Sequence, residues 1–298
     1  MKPIKLQTAV PLESSPFSIG YDDQVLLIGS CFTENMGWRM GELGFSVNIN
    51  PFGIVYNPLS MVDTVRRCLE GEEIGEEVLV RHEGLWHSWL HHGSFSHRDK
   101  ASCLALCNNS LREAAQFIKG CSTIVFTFGS AWYYSLVESG MVVANCHKLP
   151  STLFKKNLAT VEELLRYWVP LTEKLLDMGK RLIFTVSPVR HGAYGAHGNQ
   201  LGKATLLLAI NSITESIIQQ HNSAKQQITY FPAYEIMMDE LRDYRFYADD
   251  LLHPSDMAEE IIWQRFQQVY MSKETIELCD LKDKENRRAA HRPIHENN

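Results

Sequence analysis

Val25-Leu26-Leu27-Ile28-Gly29-Ser30-Cys31-Phe32-Thr33-Glu34-Asn35 is the stretch from which the rest of the chain can be read. Four apolar residues run directly into Gly-Ser. A short continuous apolar run closed by glycine predicts a strand buried on both faces of a parallel sheet. The polar and acidic Thr33 and Glu34, followed by Met36, Met40 and Leu43, predict the first turns of a helix. Ser30 therefore falls where a strand ends and a helix begins. In an open α/β sheet that is the side on which ligands bind. Gly29 lets the backbone turn sharply, and the helix N-terminus presents N–H groups to negative charge. A serine there is more often a helix cap than a nucleophile. The balance changes only if a base reaches it.

Outward from this stretch, strands and helices alternate. Gly44–Asn50 alternates apolar and polar residues and predicts a second strand. The turn-rich Pro51–Pro58 follows, then a helix over Leu59–Leu69 and an acidic turn from Gly71 to Glu77. Residues 80–110 are the least regular part and hold Trp86, Trp89, His82, His87, His91, His92 and His97. A helix is predicted over Ser110–Lys119 and a strand over Cys121–Gly129. Trp132–Val137 and Met141–Asn145, joined by Glu138-Ser139-Gly140, read as a β-hairpin. Thr160 caps a helix running to about Met178; Glu163 completes a capping box and Gly179 marks the stop. Pro170 predicts a kink or break inside that helix. Arg181–Pro188 is the fourth strand. Residues 190–203, with glycines at 192, 195, 198 and 202, read as a loop before a helix over Lys203–His221. Ile228–Pro232 is the fifth strand, and a helix begins near Asp256. Residues 1–22 look irregular, the chain from Lys273 is strongly charged, and Arg287–Asn298 is expected to fray.

This order predicts one α/β domain over residues 1–298, with its core at about 20–272, a charged tail at 273–298 and a mostly parallel five-stranded sheet. The hairpin and the irregular 80–110 region would be insertions near the strand ends. With 298 residues, 45% hydrophobic and 21% charged, the composition is that of a soluble globular protein. A net charge of −6 gives no basic excess that would favour nucleic acid or an anionic membrane. The start lacks a signal-peptide core, and no uninterrupted apolar run approaches membrane-spanning length. The seven scattered cysteines read as reduced thiols, which with the rest predicts a cytoplasmic location.

The base appears near the far end of the chain. Asp250 and His253 lie three residues apart, with Pro254 next, in a loop before the last predicted helix. A histidine needs an acceptor on one ring nitrogen so that the other can take a proton from serine. Taken alone, the pair reads more readily as a capping aspartate and a surface histidine. Together with a serine at the first strand end it is far more specific, because a doubly wound sheet brings both loops to one crevice.

Several segments then resemble the GSCFA family, itself distantly similar to the SGNH/GDSL esterases. They are Gly29–Thr33, Asn50–Pro58, Asn145–Pro150, Ser187–His191, and Tyr244–Tyr247 followed by Asp250 and His253-Pro254. The resemblance spans roughly residues 20 to 270. It implies a flavodoxin-like three-layer sandwich and ester hydrolysis or acyl transfer, with Ser30 as nucleophile, His253 as general base and Asp250 as its orienter. The implied substrate is a small-molecule ester, in one version a carbohydrate, and no cofactor or metal is needed. SGNH enzymes form an oxyanion hole from the serine N–H, a glycine after the second strand and an asparagine after the third. Gly53 matches the second position. The third departs, because this chain reads Gly129-Ser130-Ala131-Trp132. Gly129, Asn57, Asn145, His147, Arg190 and His191 are the remaining candidates for oxyanion or substrate contacts. Arg190 would fix a carboxylate or phosphate, or else form a structural ion pair. Alanine at 131 also leaves open a fold that binds an acylated ligand without turnover.

Three further readings compete. Cys31 at a helix N-terminus would be reactive if its thiol pKa were depressed, although a small buried side chain is the commoner case. His87 and His91 would share a helix face, but no carboxylate pattern completes a metal site. The histidine- and tryptophan-rich stretch is therefore expected to be a substrate-facing loop.

Overall fold

The computed structural model describes residues 8–290. Five strands form the central sheet: β1 (Gln24–Gly29), β2 (Ser46–Ile49), β3 (Thr123–Phe128), β4 (Arg181–Val186) and β5 (Ile228–Phe231). Their order is β5-β4-β3-β1-β2, and every pairing is parallel. This is the doubly wound order whose switch point lies between β1 and β3, where a crevice opens at the carboxyl ends of the strands.

The three inner strands β1, β3 and β4 are buried on both faces, and the sheet's side chains alternate between two cores. Leu26 and Ile28 of β1 join Ile124, Phe126, Phe128 and Phe184 on one face. Val25 and Leu27 join Val125, Ile183 and Phe231 on the other. The first face is covered by α2 (Pro58–Glu70), α3 (Lys100–Gly120), α4 (Val161–Asp177) and α5 (Gly195–Gln220). The second is covered by α1 (Cys31–Glu42) and α6 (Asp256–Tyr270). The three-layer α/β sandwich expected from the sequence is the observed fold.

Several boundaries differ from expectation, each through a tertiary contact. Helix α3 begins at Lys100 rather than Ser110, capped by Asp99, whose side chain accepts from Ser102 N–H at 2.7 Å. Asn108, a poor helix former, sits inside it because its amide bonds both N–H and C=O of Ile74 (2.9 and 3.0 Å). Helix α5 begins at Gly195 rather than Lys203. Its glycines admit Trp132, which donates to Gly198 O (2.8 Å) and lies where a side chain on Gly202 would crowd it. The stretch Gly192–Gln220 is, among the described residues, the one helix long and apolar enough to cross a membrane, a test that a core helix also meets. Here Leu206, Ala209, Ile210, Ile213 and Ile217 are buried against the rest of the protein.

Helix α4 runs unbroken through Pro170. Thr160 caps it as expected, accepting from Glu163 N–H, but the Glu163 carboxylate accepts from Tyr133. The expected hairpin gains a third strand, Phe154–Leu158, antiparallel to Trp132–Leu136. The charged segment from Lys273 forms helix α7 (Lys273–Ala290), not a tail. It packs through Cys279 and ties to α1 by Asp283 on Arg39 (2.9 Å) and Asn286 on Glu42 O (2.8 Å). Residues 8–22 carry no regular element; Pro3 and residues 291–298 lie outside the described residues.

Candidate active site

The carboxyl ends of β1, β3 and β4 place three buried serines side by side in the chain's crevice: Ser30, Ser130 and Ser187. The turn after β1 needs glycine. Gly29 sits at φ +155°, and a Cβ there would come within 2.4 Å of Thr127 O. Its N–H donates to the Asn50 side chain at 2.8 Å. Ser30 occupies the cap position of α1, yet its side chain makes no capping bond. Its hydroxyl donates instead to Ser187 Oγ at 3.1 Å. A serine kept from capping and turned into the crevice is free for chemistry.

Asp250 and His253 form a unit. Asp250 Oδ1 accepts from the backbone N–H of Leu252 (2.9 Å) and of His253 (3.0 Å), while Oδ2 lies 2.6 Å from His253 Nδ1. These bonds, the His253 N–H first, hold the Asp250 carboxyl down at about 2. An ionised carboxylate only accepts, so Nδ1 carries the hydrogen and Nε2 is the ring nitrogen left to act as the base. Tyr247–Pro254 bridging closes this loop, and Arg190 N–H donates to Leu252 O (3.1 Å), docking it beside the loop after β4.

Ser30 and His253 line one cavity of about 460 Å³. Its far wall is aromatic: Tyr56, Trp132, Tyr133, Tyr134 and Tyr194. Trp132 stacks on Tyr194 with ring centres 5.2 Å apart, and the Lys156 ammonium lies over both rings at 4.7 and 4.9 Å. The sequence family is then decided by a match of the GSCFA profile to residues 24–266. The chain belongs to the GSCFA family. No curated relative matches it. Among solved structures it is similar to Axe2, an acetylxylan esterase from Geobacillus stearothermophilus, at 12% identity and a TM-score of 0.45, over 86% of this chain and 98% of that one. It is also similar to a carbohydrate esterase family 3 protein from Talaromyces cellulolyticus, at 11% identity and a TM-score of 0.33, over 88% and 99% of the two chains.

In this GSCFA chain, Asn57, Asn145, Arg190 and His191 join Ser30 and His253 around the cavity. Asn57 also caps α2, its Oδ1 accepting from Ser60 N–H (2.8 Å) and its Nδ2 donating to Ser60 Oγ (3.1 Å). The Asn145 side chain accepts from His147 N–H at 2.8 Å. Arg190 forms no ion pair among the described residues; its Nη2 contacts Met238 Sδ at 2.9 Å. His191 packs edge-on against Tyr56, and burial, with the charge of Lys203 nearby, pushes its pKa down to about 4.

Gly53, Gly129 and His147 stand elsewhere. The Gly53 N–H donates to Asn50 O (2.7 Å) in a tight turn, so it does not face the cavity as an oxyanion donor. The N–H groups of Gly129 and Ser130 both donate to Tyr56 O, each at 3.0 Å. His147 is buried, stacked on His87 at 4.6 Å and bonded through Nε2 to Ser88 O at 2.7 Å. Burial lowers its pKa to about 4, so it is a neutral core histidine.

The expected substrate-facing histidine loop is corrected in the same way. His87, Trp89 and His91 are all buried, and none lines the cavity. His91 bonds Ser88 Oγ (3.0 Å), and desolvation pushes its pKa down to about 3. The stretch failed to read as core because histidine is amphipathic and pairs with buried hydroxyls and carbonyls. Cys31 is half-buried and lines the cavity, and burial raises its thiol pKa more than the nearby backbone amides lower it, so the depressed thiol is not found. Among the described residues no three His, Cys, Asp or Glu side chains gather to hold a metal ion.

Among the residues of the site not named as candidates from the sequence are Ser187 and Lys203, besides Ser130 and the aromatic wall. Ser187 opens the Ser187-Pro188-Val189-Arg190-His191 segment, so its position after β4 was available as a signal. Lys203 gave no signal, because a single lysine at an apparent helix start is normally solvated.

Proposed function

We propose that this chain is a serine-dependent hydrolase acting on an ester-linked acyl group of a small polar molecule, with a sugar ester as the favoured class. One observation carries the reading: Ser30, relieved of capping, and His253, held by Asp250 through Nδ1, line the same cavity. Ser30 Oγ attacks the acyl carbonyl while His253 Nε2 takes its proton; Asp250 fixes the tautomer and stabilises the imidazolium. The C–O bond to the alcohol breaks, and His253 returns the proton to the leaving oxygen. Water, activated by the same histidine, then releases the acid and frees Ser30. The Ser30 hydroxyl rests on Ser187, so the first step requires it to leave that bond for His253. The aromatic wall supports a sugar-sized alcohol, since flat rings match the C–H faces of a pyranose, and the cavity volume falls in the range of small-molecule sites.

The test is labelling by a fluorophosphonate probe together with hydrolysis of a short-chain aryl ester. We expect rapid labelling and turnover in the wild type and neither in Ser30→Ala. Equal rates in the two proteins would overturn the nucleophile assignment.

A second reading is a fold that binds an acylated ligand without turning it over. Its support is specific: Ala131 stands where a donor is expected, and the N–H groups of Gly53, Gly129 and Ser130 are all engaged within the protein. A wild type that binds acylated sugars but resists the probe would favour it.

A further inference from the structure

Lys203 projects from the third turn of α5 into the interior and is 2% exposed. Its Nζ donates to Ser187 O at 2.7 Å and Gly129 O at 2.9 Å and lies 5.3 Å from the centre of the Tyr234 ring. No carboxylate pairs with it among the described residues. An unpaired charge away from water is costly, and its retention beside a cleft calls for a function.

We propose that Lys203 is a positioning residue of the candidate site: it ties the carboxyl ends of β3 and β4 together, fixes the serine that holds Ser30, and sets a positive charge beneath the cavity floor. The inference rests on Ser30 being the nucleophile. The connection is short. Lys203 holds the Ser187 carbonyl, and the Ser187 hydroxyl accepts from Ser30 and from Val189 N–H (3.4 Å). Removing the ammonium would free two strand-end carbonyls and loosen the residue on which Ser30 rests. The charge also answers a deficit. With the Gly53, Gly129 and Ser130 amides engaged elsewhere, a tetrahedral oxyanion formed from Ser30 lacks the usual set of donors. A fixed cation in a low-dielectric floor favours that charge without touching it.

The groups facing Lys203 come from three other segments. Cys31 lies on α1, Arg190 and His191 lie on the loop after β4, and Tyr234 follows β5. Burial, reinforced by Arg190, brings the Lys203 pKa down to about 7, while Cys31 acts in the opposite sense. The charge is therefore lost as pH rises through the neutral range. Cys31 and Tyr234 have thiol and phenol values raised by burial, and His191 is lowered to about 4, so none of these titrates in that window.

The experiment is the second-order rate of fluorophosphonate labelling, followed from neutral to alkaline pH, for wild type, Lys203→Met, Lys203→Arg and Ser30→Ala. Lys203→Met is expected to label about a hundredfold more slowly at neutral pH, the scale of one lost oxyanion contact. Lys203→Arg, which keeps its charge, should recover much of the rate and lose the alkaline fall shown by the wild type near pH 7. A folded Lys203→Met that labels at the wild-type rate would overturn the proposal. Should Lys203→Met fail to fold, a folded Lys203→Gln, which keeps a donor but not the charge, that labels at the wild-type rate overturns it as well. Labelling that survives Ser30→Ala breaks the nucleophile assignment instead, so the two failures are told apart.

Discussion

The two ends of the sheet each hold a buried lysine that donates to two carbonyls, and the difference between them separates support from function. At the amino end, Lys180 donates to Lys119 O (2.9 Å) and Cys121 O (2.7 Å). Around it, polar groups are matched in charge. Asp23 accepts from Gly20 N–H (2.8 Å) and Ser122 (2.7 Å) and pairs with Arg181, which also donates to Ser18 O (2.8 Å). At the carboxyl end, Lys203 makes the same kind of tie, but its surroundings are cationic or neutral. Arg190 has no acid beside it, and the carboxylate of Asp250 is taken by His253. One end sets its lysine beside a matched Asp23–Arg181 pair; the other sets it near Arg190, which has no acid partner among the described residues, where a reaction would develop negative charge. Identical local bonds can thus serve stability at one edge and chemistry at the other.

The largest expected effect tests the carboxyl end directly. Asp250→Asn leaves the loop's shape but lets the imidazole adopt the wrong tautomer, so ester hydrolysis should fall on the order of a thousandfold or more. Because Asp250 is exposed, the melting temperature should barely move. A loss below tenfold would break the assignment of Asp250 as orienter.

The paired lysines sharpen the contrast. Lys203→Met should cut probe labelling about a hundredfold. Lys180→Met should leave labelling unchanged and cost about 1–3 kcal/mol by leaving two carbonyls unsatisfied, a drop of several degrees in melting temperature. If Lys180→Met impaired labelling as strongly, the two ends would not differ in kind.

The acid network at the amino end gives a pH signature. Burial works against the Asp23 charge, but hydrogen bonds from Gly20 and Ser122 and the charge of Arg181 outweigh it and hold the carboxyl below its usual value of 3.8. A depressed carboxyl stabilises the fold above its unfolded pKa and loses that contribution as pH falls through the folded value. Asp23→Asn should therefore destabilise the protein at neutral pH by about 1–3 kcal/mol. The wild type and the variant should converge under strongly acid conditions in denaturant titrations. A gap that persists in acid would contradict this account.

The smallest effect concerns Ser187. Its bond to Ser30 is one neutral hydrogen bond, so Ser187→Ala should change the labelling rate only about two- to fivefold. A hundredfold change would mean that Ser187 itself touches the reacting group.

Much of this was legible in the chain. β1, β3 and β4 were marked by short, mostly apolar runs closed by Gly or Pro, because burial on both faces leaves little choice of side chain, while β2 was marked by alternation. Gly29, Ser30 and the Asp250–His253 spacing were visible because each depends on neighbours close in sequence. What misread were residues whose partners are far away. The glycines at 195, 198 and 202 look like a loop until Trp132 lies against them. His87, His91 and His147 look like ligands until Ser96 and Ser88 each take one of their ring nitrogens. Gly53 looks like an oxyanion donor until its N–H closes onto Asn50.

By itself, then, the sequence determined the alternation of strands and helices, the two buried faces of the inner strands, and the residue types that meet at the crevice. Those follow from local periodicity and turn chemistry, which short stretches encode. Only the tertiary structure decided which amides remain available, where the Ser30 hydroxyl points and that Lys203 is buried with no acid partner. Those properties belong to pairs of atoms brought together across the fold, and solvation and hydrogen bonding are settled only when both members of a pair are in place.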